Sequence, residues 1–227
     1  MYKCKLCGRY VEDLTEDLAS RIFKHLEEHK EYKDHKDVYD DLDTDAITEE
    51  FFEFVPNSCS LSYDANNNPI IVISDVRFGG RNIDWNEIKE YLMEYIDSSY
   101  EVIETTDVIY IGSDFPKELK GSEDTVRLKG ANVKAKANAT QEIPALLSFA
   151  NNKRWQENFK SKHKVDAKHG WYRFTTRFAL PVYLENGEIE RFNIFRIEML
   201  VRHASDNRLY LYDMVNVKKE MSNPLEP

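Results

Sequence analysis

The chain has 227 residues, with 41% apolar and 12% aromatic residues and a formal net charge of −10. That apolar content supports a packed core and excludes a disordered chain, and no apolar run reaches the roughly 18 residues of a membrane span. Three cysteines, two of them in one CxxC pair, exclude a disulfide framework. The N-terminus MYKCKLCGRY lacks the apolar stretch of a secretory signal, so the expectation is a host-cell cytoplasmic protein with no membrane partner. The charge is uneven. Residues 1–115 hold 11 Lys+Arg against 27 Asp+Glu, a net of −16, and residues 116–227 hold 20 against 14, a net of +6. Such polarity suggests two units with different partners, and an acidic surface able to occupy a basic groove meant for nucleic acid. A solvated acidic face accounts for the same counts.

In chain order, residues 2–11 read as a tight hairpin. Residues 14–31 read as a helix, because Leu14, Leu18, Ile22 and Leu26 recur at helical spacing. The charge run 33–45 is a linker or an exposed helix. A short helix over 46–54 ends near Pro56, and strands follow at 59–63 and 70–76 across the turn sequence DANNNP. Asp84 is placed to cap a helix over 85–97, with Trp85, Ile88, Leu92, Tyr95 and Ile96 as its apolar stripe. Residues 100–111 alternate as one or two strands. Helices are expected at about 122–139 and 141–151, then a polar, basic segment over 153–170. Three long β runs follow at 171–183, 189–202 and 208–217, joined by short turns, ENGE being a good hairpin signal. The fold class is therefore α+β: a small N-terminal ββα zinc finger over 1–31, an acidic linker or helix over 32–45, a small acidic α+β unit over 46–111, and over 112–227 helices packed on a three-stranded antiparallel meander.

Cys4-x2-Cys7-x17-His25-x3-His29 carries the most specific chemistry in the chain. Two thiolates and two imidazoles are a common structural set for Zn²⁺, which prefers four nitrogen or sulfur ligands in a tetrahedron. Gly8 suits the left-handed turn after the second cysteine. His25 and His29, four apart on the predicted helix, would share a face. Tyr2, Leu18, Ile22 and Leu26 would form a miniature core that needs the metal to stand. His35 reads as a surface residue. With four protein ligands the zinc keeps no open catalytic position. The finger carries Glu12, Asp13, Glu16, Asp17, Glu27 and Glu28 against Arg21, Lys24 and Lys30, a face that repels phosphates, so it reads as structural or protein-contacting. Cys59, in a predicted strand, reads as a small buried residue.

Residues 116–170 hold 12 Lys+Arg and 6 Asp+Glu with Trp155 and Phe159 among them, the mix an RNA or single-stranded DNA surface needs. The candidate contacts are Lys134, Lys136, Lys153, Arg154, Lys160, Lys162, Lys164 and Lys168. An ordinary amphipathic helix pair explains the apolar residues Val126, Leu128, Val133, Ile143, Leu146, Leu147 and Phe149 equally well.

The N-terminal segment resembles the two-Cys, two-His fingers of phage and mobile-element proteins. From about Val108 the motifs VIYIGSDFP, LKGANVKAKANATQEIP, KHKVDAKHGWYRFTTRFALPVY, NGEIERFNIF, LVRHA and LYLYDMVNVKKE resemble an accessory domain of the polyvalent proteins of phages and conjugative elements. That domain is similar to the barnase-like, RelE-like nuclease group. The resemblance implies N-terminal helices over an antiparallel meander, in many members without a complete active site.

Three functional readings follow. In the leading one the protein is a non-enzymatic accessory protein of a phage or mobile element. It binds and inhibits a host nucleic-acid machine, a nuclease or ribonucleoprotein such as a CRISPR effector, through protein contacts and contacts to RNA or DNA. In the second it is a metal-independent ribonuclease, with His163 or His169 as acid or base and Arg177 on the phosphate. Arg173, Arg191, Arg202 and His203 would extend that phosphate patch, unless the strand arginines pair with Glu188, Glu190 and Glu198 instead. In the third it is an inactive scaffolding module.

Overall fold

A computed structural model describes residues 1–11, 13–14, 18–39, 42–54, 59–158 and 166–220. The front part contains β1 (Tyr2–Cys4), β2 (Tyr10–Val11), α1 (Leu18–Leu26), α2 (Lys30–Asp34), α3 (Lys36–Tyr39), α4 (Thr44–Phe51) and β3 (Phe52–Phe54). Next come β4 (Cys59–Tyr63), β5 (Pro69–Ile73), α5 (Trp85–Leu92), β6 (Ser99–Glu101), β7 (Val108–Ile111), α6 (Phe115–Gly121) and α7 (Glu123–Arg127). The chain continues through α8 (Ala131–Ala139), α9 (Ile143–Ser148), β8 (Asn151–Gln156), β9 (Trp171–Tyr183), β10 (Ile189–His203) and β11 (Leu209–Lys219). The protein is thus mixed α and β.

Local chemistry explains many of the boundaries. Asp64 Oδ1 accepts from the amides of Asn66 and Asn68 and closes the β4–β5 turn, where Asn67 takes a φ of 62°. Asp84 caps α5 by accepting from Asn86 N at 2.8 Å. Pro116 sits in the first turn of α6, the position a helix tolerates best, so the helical region begins ahead of the predicted residue 122. The predicted meander is present as β9, β10 and β11, paired antiparallel from Arg202↔Trp171 to Ile189↔Tyr183 and from His203↔Leu209 to Phe195↔Lys219. β8 is an added strand. Its sequence NNKRWQ has no apolar alternation, yet it pairs with β9 at Arg154↔Arg173 and Trp155↔Tyr172.

The meander does not stand alone. All the described strands form one sheet of 11 strands in the order β3-β1-β2-β6-β7-β11-β10-β9-β5-β4, with β8 beside β9. Three of its pairings are parallel: β2–β6, β7–β11 and β5–β9. The sheet is therefore mixed rather than purely antiparallel. Laid flat, the ten strands of that path would set β3 and β4 about 43 Å apart at ~4.8 Å per strand. Only residues 55–58 separate Phe54 from Cys59, a reach of about 17 Å. The sheet must curl so that its two ends approach.

The concave side holds α8 and α9. Ala135, Lys136, Ala137, Asn138 and Ala139 are five consecutive residues at 0% exposure, and Ile143 to Leu147 are buried as well. The C-terminal half of α8 is covered on all sides and so shows no amphipathic stripe; β11, Asp124 of α7 and the loop at Phe78 close over it. The main core joins these helices to Ile88, Leu92, Ile109, Phe115, Phe174, Phe178, Ile197 and Met214. Asn138 satisfies the backbone of a loop at depth, accepting from Phe78 N and donating to Phe78 O, both at 3.0 Å. Cys59 is buried, as expected. No helix among the described residues is long and apolar enough to cross a membrane.

Candidate metal centre

The N-terminal hairpin is closed by Cys4 N donating to Arg9 O and Gly8 N donating to Cys4 O, each at 2.8 Å. Gly8 takes the left-handed conformation at φ 73°, which a side chain would resist. This knuckle turns both sulfurs to one side. His25 lies in the last turn of α1, 4% exposed.

The helix predicted to carry both histidines breaks between them. α1 ends at Leu26, and His29 stands outside it in extended conformation, φ −93° and ψ 129°, just before α2. Glu27 and Glu28 directly follow α1, where carboxylates oppose the helix dipole. His29 still reaches the site: its ring centroid lies 4.9 Å from that of His25.

The four donor atoms of Cys4, Cys7, His25 and His29 lie within 4.8 Å of one another. Cys7 Sγ is 3.4 Å from His25 Nε2, Cys4 Sγ is 3.7 Å from His29 Nε2, and the two Nε2 atoms are 3.1 Å apart. These four side chains can hold a metal ion. The hydrogen bond from the Cys4 thiol, and then His25, hold the Cys7 thiol below its ordinary value, while Cys4 is pushed up. His35 is exposed and outside the cluster.

Packing around the site extends past residue 31. Cys4, Val11, Ile22, Leu26 and Tyr32 share one apolar cluster with Ile47, Phe51 and Phe52, and β3 pairs with β1 at Cys4↔Phe52. Tyr2 and Leu18 pack against it, as the sequence suggests. The sequence gives no signal for Arg9. Its Nη1 donates to Glu28 Oε2 at 2.7 Å and lies 3.4 Å from His25 Nδ1.

The candidate nucleic-acid contacts fare differently. Lys136 is a correction: it is fully buried, with Nζ 3.0 Å from Asp213 and 3.1 Å from Asp124, and presents nothing to a phosphate. The C-terminal half of its helix lies beneath β11 and α7 rather than on the surface. Lys153 pairs with Asp107 at 2.7 Å and lies over the Tyr172 ring. Arg154 pairs with Glu198 at 2.6 Å, and Lys134 donates to Gly79 O at 2.9 Å. Lys168 is exposed. Lys160, Lys162, Lys164 and Phe159 lie outside the described residues, as do Glu12, Glu16 and Asp17.

Among the described residues, His169 and Arg177 of the ribonuclease set are not brought together. His163 lies outside the described residues. His169 is exposed, its ring 4.9 Å from that of His203, at the Trp171 end of β9. Arg177 is six residues along that strand, about 20 Å away at ~3.3 Å per residue. There it is held by Asp64 at 2.7 Å and Glu220 at 2.6 Å. Arg173 pairs with Glu198 at 3.0 Å, Arg202 with Asp114 at 2.6 Å, and Arg191 with Glu190. Arg173 thus takes the cross-strand carboxylate that the sequence offered as the alternative to a phosphate patch.

Comparison of the chain with family models, with curated proteins and with solved structures finds no match.

Proposed function

We propose that the protein is a zinc-stapled, non-enzymatic binding protein of a phage or mobile element that inhibits a host nucleic-acid machine. It does so by occupying a basic, nucleic-acid-binding surface of a nuclease or ribonucleoprotein. The zinc assignment is supported by donor spacing. Bonds of about 2.3 Å to sulfur and about 2.05 Å to nitrogen give tetrahedral edges near 3.5 Å for S···N and 3.3 Å for N···N. Three of the six separations come near these values, 3.4 and 3.7 Å for S···N and 3.1 Å for N···N, with all four donors within 4.8 Å of one another. Four ligands complete the tetrahedron, so the metal's role here is to fix the hairpin against α1.

One observation carries the functional reading. Six of the back half's 20 cations, Lys136, Lys153, Arg154, Arg173, Arg177 and Arg202, pair with carboxylates and are to that extent withdrawn from a phosphate surface. The net charge of −10 is left to the surface. Asp45, Glu49, Glu50 and Glu53 on α4 and β3 are exposed acidic residues of the front half. A surface of that sign is attracted to a basic channel and repelled by nucleic acid.

The test is capture of partners from the native host with and without nuclease treatment, followed by cleavage assays on the recovered enzyme. Inhibition that survives nuclease treatment of the bait and falls when Glu49, Glu50 and Glu53 become lysine supports the proposal. Purified protein that neither binds nor inhibits any ribonucleoprotein nuclease of its host ends it.

A further inference from the structure

Among the described residues the sheet has three edge strands: β3 and β4 at the ends of its path, and β8 beside β9. An edge offers unpaired N–H and C=O groups, and proteins ordinarily blunt it with charge, proline or a bulge. β3 carries the exposed Glu53, and β8 carries Lys153 and Arg154. β4 has the sequence CSLSY, with neither a charge nor a proline, and pairs with β5 in unbroken register.

That register shows which backbone groups of β4 stay open. Asp64 N donates to Asn68 O at 3.1 Å just beyond the strands, and bonded and non-bonded pairs alternate from there. Ser62↔Ile70 and Ser60↔Val72 are therefore bonded pairs, whereas Tyr63↔Pro69 and Leu61↔Ile71 are not. Pro69 has no N–H to give, and Ile71 turns to β9, in register with Phe178. Leu61 and Tyr63 thus point their N–H and C=O groups outward, where no described residue meets them. Tyr63 is 48% exposed and Ser60 is exposed as well, so solvent reaches this edge.

We propose that β4 is a pairing edge for a second copy of this chain, the two strands running antiparallel about a two-fold axis at Ser62. In that register Leu61 of each copy exchanges both backbone hydrogen bonds with Tyr63 of the other, so the open groups are the ones that meet. Ser62 faces its own counterpart as the non-bonded pair, and the Tyr63 ring lies beside Leu61 of the second copy on the same face of the sheet. Charge selects a second copy as the occupant. Self-pairing of β3 would bring carboxylates together and self-pairing of β8 would bring cations together, whereas β4 meets itself without repulsion. Placing the axis at Ser62 also keeps the contact away from Cys59, the end that joins the front part of the molecule. The strand is short, so the association is weak and set by concentration. It depends on neither the metal nor the inhibitory reading.

Sedimentation equilibrium of the full chain over roughly 10 µM to 1 mM should show the average mass rising from one chain toward two. Ser62→Lys sets two ammonium groups face to face and should weaken the association about tenfold or more, whereas Ser62→Thr should keep it. Ser62→Cys should give a disulfide between copies on mild oxidation, because non-bonded partners stand about 4.5 Å apart at Cα. Mass spectrometry of the linking peptide separates this bond from any made by the native cysteines. In the unaltered chain the amides of Leu61 and Tyr63 should gain protection from hydrogen exchange as concentration rises, while those of Ser60 and Ser62, already bonded to β5, should not change. A single-chain mass throughout overturns the proposal. A dimer that Ser62→Lys leaves intact, or that adds no protection at Leu61 and Tyr63, overturns it too, because the copies then meet elsewhere. Should Ser62→Lys disturb the β4–β5 pairing itself, the Ser62→Cys link decides, and its absence ends the proposal.

Discussion

Lys136 Nζ lies 3.0 Å from Asp213 Oδ1, the lysine at 0% and the aspartate at 3% side-chain exposure, joining the central helix α8 to strand β11. A second carboxylate, Asp124, approaches the same ammonium at 3.1 Å from α7. Burial raises the Asp213 carboxyl from its ordinary value even with the ammonium beside it. Desolvation therefore outweighs the attraction of the pair. Lys136→Met strands Asp213 as a buried, unpaired charge and should cost about 3–5 kcal/mol. Adding Asp213→Leu to it should recover much of that loss. Urea unfolding of the single and double variants checks both statements. A Lys136→Met protein within about 0.5 kcal/mol of the parent would show that the pair is not sealed as described.

That pair also marks where the sequence stops being legible. Counting charges over 116–170 places Lys136 on a nucleic-acid surface. Its burial follows from alanines on both sides and from an aspartate 77 residues away on β11, neither of which leaves a local periodic signal. The candidate metal cluster is legible because its members come in two short-range pairs, CxxC and HxxxH. The helix break between His25 and His29 was not, since the apolar spacing of Leu18, Ile22 and Leu26 runs smoothly into it. The meander was readable from period-two alternation and its short turns. The curl was not, because it depends on parallel pairings such as β5 with β9 and β2 with β6, which join distant segments.

Removing the metal should loosen the front of the molecule and spare the rest. The apolar cluster around Ile22, Leu26, Phe51 and Phe52 is separate from the main core, and β2 meets β6 through the single pair Tyr10↔Tyr100. Chelation, or Cys4→Ser, should expose the amides of β1, β2 and α1 to hydrogen exchange while β9, β10 and β11 keep their protection. Metal analysis should find about one equivalent of zinc per chain. Uniform loss of protection across the sheet would contradict this division.

Asp64 offers a prediction in pH. Its carboxyl is lowered to about 2, first by the backbone amide of Asn68, then by the Asn68 side chain and Arg177. A carboxylate whose folded value lies below its unfolded one stabilises the fold above the unfolded value, and that contribution is lost as pH falls through the folded one. The window is therefore roughly pH 4 down to 2. NMR titration should place Asp64 near the bottom of it. Arg177→Gln should raise the midpoint toward the ordinary range by removing one of the contributors. An unmoved midpoint would assign the whole effect to the turn.

Gly170 holds the end of β8 against β9. Its φ is +95°, and an added Cβ would lie 2.7 Å from Trp155 Nε1 and 2.9 Å from Gln156 O. The tryptophan ring can swing, since Trp155 is 58% exposed. The Gln156 carbonyl belongs to the strand backbone, and relieving that contact means displacing β8. Gly170→Ala therefore combines a left-handed strain of about 1–2 kcal/mol with loss of the Gln156↔Trp171 pairing. Amides of β8 should exchange faster in this variant, whereas Gly187→Ala, where the backbone is also left-handed but the space is open, should show only the strain. Equal effects of the two substitutions would mean that backbone conformation alone, and not the contact with Gln156, fixes the glycine.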